Sequence, residues 1–253
     1  MTDHILLPVG QTDALQYAVA ELKRRGCQVC TTPNGKITHM LLPVPSFTPD
    51  GTVPGCGALE DVLSKLPKDI IIMGGNLQRP QLKEYTTIDL LQDPLYLAEN
   101  AAITAHCAIR IAMDILPCTL QNCHVLVVGW GRIGKCLAKL LKKLGANVSV
   151  AVRKESDRAM LLALGYDSEI LTPPAYGLAR YRLIFNTVPA MVLPETWLKY
   201  CQPDCLKIDL ASVPGIGGAD VVWARGLPNK YAPETSGALI ARTVLRLAAG
   251  KER

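Results

Sequence analysis

The stretch His124-Val-Leu-Val-Val-Gly129-Trp-Gly131-Arg-Ile-Gly134 constrains the fold more than any other part of the chain. A run of aliphatic residues stops at Gly129, and two more glycines complete the spacing G-x-G-x-x-G. Residues 135–144 then carry the apolar repeat of a helix. That order is strand, tight turn, helix. Gly129 permits the turn, Gly131 lets the backbone approach a pyrophosphate, and Gly134 lets the helix lie close on the strand. The free N–H groups of the helix N-terminus face the phosphates. A lone fingerprint of this kind is weak, but a second strand-like run, Asn147-Val-Ser-Val-Ala-Val152, follows at the distance a βαβ unit needs. Gly129, Gly131, Arg132, Ile133 and Gly134 therefore read as a dinucleotide cradle. The alternative is a Rossmann-type domain that has lost its ligand.

The end of that second strand selects the cofactor. An acidic residue there would hold the ribose 2′-hydroxyl of NAD. Here the place is held by Arg153, with Lys154 and Ser156 beside it, which suits the 2′-phosphate of NADP. Glu155 is a rival that would hold a ribose hydroxyl, so NAD stays open as the second choice.

The rest of the chain supplies a second α/β domain. Residues 5–9, 27–31, 37–44 and 69–73 read as strands, with a helix capped by Thr12 and ended by Gly26. The Pro/Gly-rich loop 43–51 and Gly74-Gly75-Asn76 follow strand ends, where open α/β sheets place ligand contacts. A long helix over 97–116 links the two domains. Glu99, Ile103, His106 and Arg110 share one of its faces, either a solvated side or the lining of an interdomain cleft. Strands at 182–185 and 206–210 end in Asn186-Thr-Val-Pro189 and Ala211-Ser212. Asp209 reads equally as a buried, hydrogen-bonded strand end or as a group near the nicotinamide. A last helix opens at Pro233-Glu-Thr-Ser236, with Thr235 or Ser236 as its cap. The expected architecture is α/β: two domains, each a parallel sheet flanked by helices, the second of the Rossmann type. The boundaries are 1–116 for the first domain, 117–228 for the dinucleotide domain, and 229–253 for a C-terminal helix that packs back on the first.

Bulk properties narrow the classes. Forty-nine per cent hydrophobic and 19% charged residues are ordinary for a soluble α/β chain. No apolar run approaches the length of a membrane span. Met1-Thr-Asp-His lacks the basic and apolar regions of a secretion signal, so the cytoplasm is the expected compartment. The formal charge of +5 is spread along the chain, which suits anionic small molecules rather than nucleic acid. Nine cysteines are scattered, with Cys27-Gln-Val-Cys30 the only C-x-x-C and no second pair to complete a zinc site. No metal is expected.

Taken together, several motifs resemble those of the A-type subunits of dipicolinate synthase. They are Leu41-Leu-Pro-Val-Pro45 with Asp50-Gly51, Ala98-Glu-Asn-Ala101, Val127-Val-Gly-Trp-Gly-Arg-Ile-Gly134, Leu144-Gly-Ala-Asn-Val148, Asn186-Thr-Val-Pro189, Asp209-Leu-Ala-Ser212 and Ala232-Pro-Glu-Thr-Ser-Gly237. The resemblance covers most of the chain. It implies an NADP-dependent dehydrogenase of spore formers that oxidises a cyclic lysine-branch intermediate of the tetrahydrodipicolinate type to pyridine-2,6-dicarboxylate. It also implies that the partner is the smaller, flavoprotein-like B-type subunit of dipicolinate synthase, and a homodimer is compatible with it. On this reading Glu99 and His106 are candidate bases and Asn186 is a third catalytic candidate. Asn186, Thr187, Val188, Pro189, Ala211 and Ser212 border the cofactor. Pro45, Ser46, Asn76, Asn100, Ser212 and Thr235 are substrate candidates.

Three departures bear on the substrate pocket. The family's N-terminal glycine-aspartate signature is Val9-Gly-Gln-Thr here, the Arg expected after the D-L-A-S serine is Val213, and residues 220–232 are compressed. Two rival functions follow. One is another small-molecule dehydrogenase, of hydroxyacid or shikimate type, although no His-Glu pair stands late in the chain. The other is a non-catalytic, nucleotide-sensing subunit.

Overall fold

Short aliphatic runs form strands and the amphipathic stretches between them form helices, building two parallel sheets. The structure is a computed structural model that describes residues 5–172 and 176–250. The reading of the first four residues lies outside the described residues. The chain divides into two compact units, Met1–Asn100 with Pro228–Arg253, and Ala101–Leu227.

The first unit contains β1 (Ile5–Pro8), α1 (Asp13–Arg24), β2 (Gln28–Val29), β3 (His39–Leu41), α2 (Leu59–Leu63), β4 (Ile71–Gly74) and β5 (Thr86–Asp89). The strand order is β2-β1-β3-β4-β5, all parallel. Leu7, Met40 and Ile72 form the centre of its core. Thr12 caps α1 by accepting the Leu15 N–H at 3.3 Å, as its side-chain chemistry suggests. Strands β2 and β3 are shorter than the sequence suggests, and at Pro43 the chain has no N–H to extend β3. Strand β5 is absent from the sequence reading because its Thr-Thr-Ile-Asp lies at the sheet edge, with Thr86 and Thr87 exposed, and carries no apolar run.

Helix α3 (Pro94–Ile115) continues from the first unit into the second. It begins three residues earlier than residue 97, because Pro94 suits a first helical position and the Asp93 carboxylate accepts the Tyr96 N–H at 2.7 Å. The second unit then contains β6 (His124–Val128), α4 (Arg132–Lys143), β7 (Asn147–Ala151), α5 (Glu155–Ala163), β8 (Asp167–Glu169), β9 (Leu183–Asn186), α6 (Glu195–Leu198), β10 (Leu206–Asp209) and β11 (Val221–Trp223). The order is β11-β10-β9-β6-β7-β8, again parallel, so the connection reverses between β6 and β9. Val128, Asn186 and Asp209 stand side by side at the carboxyl ends of β6, β9 and β10.

Two helices close the chain, α7 (Leu227–Tyr231) and α8 (Pro233–Gly250). Helix α8 packs on α1, in keeping with the apolar composition of the C-terminus. The approach is closest at Gly237, where an added Cβ would come within 2.5 Å of Tyr17 Cβ and 2.7 Å of the Ala14 carbonyl oxygen. Asn229 on α7 accepts the Ala14 N–H at 3.1 Å. Thr235 and Ser236 are not caps: they lie inside the first turns of α8, and the Ser236 N–H already donates to the Ala232 carbonyl. Pro233, which needs no N–H partner, opens the helix instead.

Candidate active site

Physical contacts account for two of the three glycines of the β6–α4 turn. Gly129 has φ +101°, a left-handed conformation that favours glycine, and an added Cβ would sit 2.5 Å from Thr187 Oγ1. A Cβ on Gly134 would lie 2.2 Å from the Gly129 carbonyl oxygen, so the helix rests on the turn at a distance only glycine allows. Gly131 is different: nothing stands within 4 Å of its added Cβ. The empty side at Gly131 is the room a backbone–pyrophosphate approach requires.

The start of α4 is electrostatically incomplete. Its N-cap is Gly131, which offers no side-chain cap, and its first turn contains Arg132 and no acidic residue. A helix N-terminus carries partial positive charge and orphan N–H groups, so a cation there without an acid or cap is unfavourable by itself. An anion at Gly131, Arg132, Ile133 and Gly134 offsets both. These residues fit a dinucleotide pyrophosphate. Trp130 packs edge-on to Tyr166 with ring centres 5.7 Å apart and has the Lys135 ammonium 5.8 Å above its ring, which fixes the outer side of the turn.

At the end of β7, Arg153, Lys154, Glu155 and Ser156 are all exposed. Glu155 opens α5 and pairs with Arg158 at 3.0 Å. Arg153 has no ion-pair partner among the described residues.

The tips of β9 and β10 form one buried polar network. Asn186 is fully buried; its Nδ2 donates to Asp209 Oδ1 at 2.9 Å and to the Val188 carbonyl at 3.0 Å, and its Oδ1 accepts the Val188 N–H at 2.9 Å. Asp209 also accepts the backbone N–H groups of Ala211, Gly215 and Ile216 at 3.0, 2.6 and 2.9 Å. The carboxylate therefore receives four hydrogen bonds, which is how a buried charge is tolerated. Asp209 is the buried, hydrogen-bonded strand end of the two sequence readings. The sequence puts Asn186 among the catalytic candidates, but both of its amide donors are occupied, so its geometry is that of a positioning residue. Gly215 is required here, since a Cβ would come within 2.4 Å of Asn186 Nδ2. Thr187 clamps this loop to β6, with both its N–H and its Oγ1 donating to the Val128 carbonyl at 2.9 Å. The cradle glycines, Thr187 and Val188 thus meet at the reversal point between β6 and β9. Pro189 and Ser212 are exposed on the same two loops, and Ala211 is buried, its carbonyl accepting Trp223 Nε1 at 3.0 Å.

In the first unit, Ser46 is fully buried; its Oγ donates to the Pro43 carbonyl at 2.8 Å and accepts the Gly75 N–H at 2.9 Å. It shapes the loop rather than offering itself to a ligand. Pro45 and Asn76 are exposed close by, and Asn76 has φ +61°. Glu99 is exposed on α3, and its carboxylate is bound by Arg242 of α8 at 2.5 Å. His106 is exposed, Asn100 is half-buried with polar company, and Thr235 is exposed on α8. Two features escape the sequence reading. The Arg79 guanidinium lies over the Phe47 ring at 5.0 Å, and Asp89 accepts the N–H groups of Leu77 and Leu91 at 2.9 Å each. No periodicity marks either one; the only hint is that Phe47 lies in the Pro/Gly-rich loop 43–51 and that Leu77, which Asp89 binds, follows Gly74-Gly75-Asn76. Among the described residues, no three His, Cys, Asp or Glu side chains are grouped to hold a metal, and no helix is long and apolar enough to cross a membrane.

Comparison with known proteins bears out the resemblance. The A-type subunit of dipicolinate synthase from Bacillus subtilis (strain 168) is 27% identical over 245 residues, covering 88% of this chain and 82% of that protein. The crystal structure of its counterpart, the dipicolinate synthase A-type subunit from Bacillus halodurans, superposes with a TM-score of 0.85 at 21% identity, covering 97% of this chain and 98% of that one. A transhydrogenase from Sinorhizobium meliloti shares the fold with a TM-score of 0.72 at 13% identity, covering 97% and 93% of the two chains. No protein-family model matches. The chain is similar to the A-type subunits of dipicolinate synthase and shares its fold with the transhydrogenase.

Proposed function

We propose that this chain is the dehydrogenase subunit of a dipicolinate synthase. With NADP it oxidises a partly reduced cyclic dicarboxylate, of the tetrahydrodipicolinate type, to pyridine-2,6-dicarboxylate in the cytoplasm of a sporulating cell. A B-type subunit completes the enzyme. The observation that carries the dinucleotide part is the glycine cradle at the β6–β9 reversal, with its uncapped, acid-free helix start. The substrate part rests on the likeness to the dipicolinate synthase proteins along nearly the whole chain.

The chemistry sets the stoichiometry. Each oxidation removes a hydride from a ring carbon and a proton from the ring, giving one NADPH and one H⁺ per NADP. A dihydro ring needs one such step and a tetrahydro ring two, and aromatisation favours the last. The nicotinamide, when bound, is the hydride acceptor. The chain's own groups bind and orient. The Gly129–Gly134 turn takes the pyrophosphate. Arg153, with Lys154 and Ser156, takes the 2′-phosphate, because Glu155 is already engaged by Arg158 while Arg153 is not ion-paired among the described residues. Thr187, Val188, Pro189, Ala211 and Ser212 border the nicotinamide end, in loops held by Asn186 and Asp209. Of the two candidate bases, His106 is the better, since the Glu99 carboxylate is committed to Arg242.

One observation favours a second reading. Position 213, where the family pattern has Arg, is an exposed Val, which suits a chain that binds nucleotide without turnover. The deciding experiment supplies NADP and the ring substrate to the purified chain, with and without its B-type partner, and follows NADPH and dipicolinate together. Product from the pair supports the proposal. NADP binding with no NADPH formed under either condition replaces it with the nucleotide-sensing role.

A further inference from the structure

The first sheet has the open parallel order β2-β1-β3-β4-β5, and in such sheets ligands are usually held by the loops at the carboxyl ends of the strands. The buried Ser46 and the half-buried Asp89 anchor the loop after β4 at that edge. Ser46 Oγ accepts the Gly75 N–H, the Ser46 N–H donates to the Gly75 carbonyl at 2.9 Å, and the Asp89 carboxylate accepts the Leu77 N–H. Between these anchors Asn76 stands exposed with φ +61°, a left-handed conformation uncommon outside glycine and one that Asn tolerates. The Arg79 N–H then donates to the Leu77 carbonyl at 2.8 Å, which turns the chain toward Phe47.

Phe47 is half-buried against the first unit's core, and the Arg79 guanidinium lies over its ring. Arginines elsewhere in this unit are neutralised: Arg24 and Arg25 bind Glu21, Arg242 binds Glu99, and Arg246 binds Asp93. Among the described residues, Arg79 is the one arginine of the unit with no carboxylate and no hydrogen bond on its guanidinium. A stacked guanidinium keeps its N–H edges outward in a fork that matches a carboxylate, and the stack reduces the freedom lost when a ligand binds.

We propose that Arg79, held on Phe47, is the carboxylate-binding residue through which the first unit recognises a planar anionic ring. This rests on the dicarboxylate reading above and adds the group that clamps it. The probe is dipicolinate itself, titrated into the full-length chain with and without NADP and the B-type partner, beside pyridine-2-carboxylate and uncharged pyridine. Arg79→Gln should weaken dipicolinate binding about tenfold or more, with NADP affinity and melting temperature unchanged. Arg79→Lys should fall between, because an ammonium keeps the charge but loses the fork, and Phe47→Leu should weaken binding several-fold by releasing the stack, an order-of-magnitude expectation. If Arg79→Gln binds dipicolinate as tightly as the wild type, the clamp is elsewhere and this proposal is overturned while the dicarboxylate reading stands. If the wild type binds none of the probes under any condition, the dicarboxylate reading itself fails and the proposal fails with it.

Discussion

Asn186 Nδ2 and Asp209 Oδ1 lie 2.9 Å apart, and this one bond joins the tips of two neighbouring strands into a single buried network. The two loops that leave the carboxyl ends of β9 and β10 therefore share one anchor. Asp209→Asn keeps the shape but turns a donor toward the N–H groups of Gly215 or Ile216. It should cost about 3 kcal/mol or more, the scale of buried donors left unpaired. Asn186→Ala should cost about 2 kcal/mol, and the double variant should show a coupling of about 1–2 kcal/mol in urea unfolding. Additive losses would mean that the two loops are held independently.

Two glycines of the same turn should behave oppositely. Gly134→Ala places a Cβ against the Gly129 carbonyl, with backbone on both sides of the clash, so the second unit should lose stability and cofactor binding together. Gly131→Ala meets nothing in the free protein and has a φ of −78°, which alanine adopts readily. Its stability should change by no more than about 1 kcal/mol, the cost of a poorer cap. Its NADP affinity should nevertheless fall clearly, because the methyl group enters the path of the pyrophosphate. A Gly131→Ala protein that binds NADP normally would place the phosphates elsewhere.

The legible parts of this chain are those in which backbone conformation and residue type are tightly coupled. The G-x-G-x-x-G turn can be read because each glycine answers a separate steric demand, and the aliphatic runs of β6, β7 and β9 can be read because central parallel strands are buried on both faces. Edge strands β5 and β8 escape such a reading because half-exposed strands need no apolar run, and β11, Val-Val-Trp, is only three residues long. Side-chain commitments are not legible at all. Nothing in the order of residues shows that Glu99 meets Arg242, 143 positions away, or that the Asn186 amide is occupied while Arg79 is not. Those facts decide which polar residues remain free for a ligand, and they depend on packing across elements distant in sequence.

Cofactor choice tests the end of β7. Arg153 has no ion-pair partner among the described residues, and Glu155 is occupied by Arg158. Arg153→Asp should weaken NADP binding by about 1.5–3 kcal/mol, the scale of a lost charge-assisted hydrogen bond, and should leave NAD binding equal or improved. Parallel titrations of both cofactors measure this directly. Equal affinity for NADP and NAD in the wild type would remove Arg153 from the selection.

The acid limit of stability should trace to two carboxylates of the first unit. Burial acts to raise the Asp93 pKa, but the hydrogen bonds from Arg246 and the Tyr96 N–H outweigh it, and the net shift is downward. Glu21 is lowered to about 2, chiefly by its hydrogen bonds with Arg24 and then Arg25. A carboxylate depressed in the folded state stabilises the fold above its unfolded pKa, and that contribution disappears as pH falls through the folded value. Melting temperature should therefore be flat near neutrality and decline from about pH 4.5 downward, as pH enters the ordinary carboxylate range and falls toward the depressed folded values. Asp93 also caps α3, and its side chain is only 10% exposed beside Arg246, so it should be the larger contributor. Asp93→Asn retains a capping oxygen but loses the ion pair. It should lower stability at pH 7 by about 1 kcal/mol and make the acid decline shallower, since there is less charge-dependent stabilisation left to lose. Arg246→Gln should flatten the same limb from the other side of the bridge. If both variants decline with pH as steeply as the wild type, the acid limit belongs to other carboxylates and the Asp93–Arg246 pair is a surface contact of no consequence.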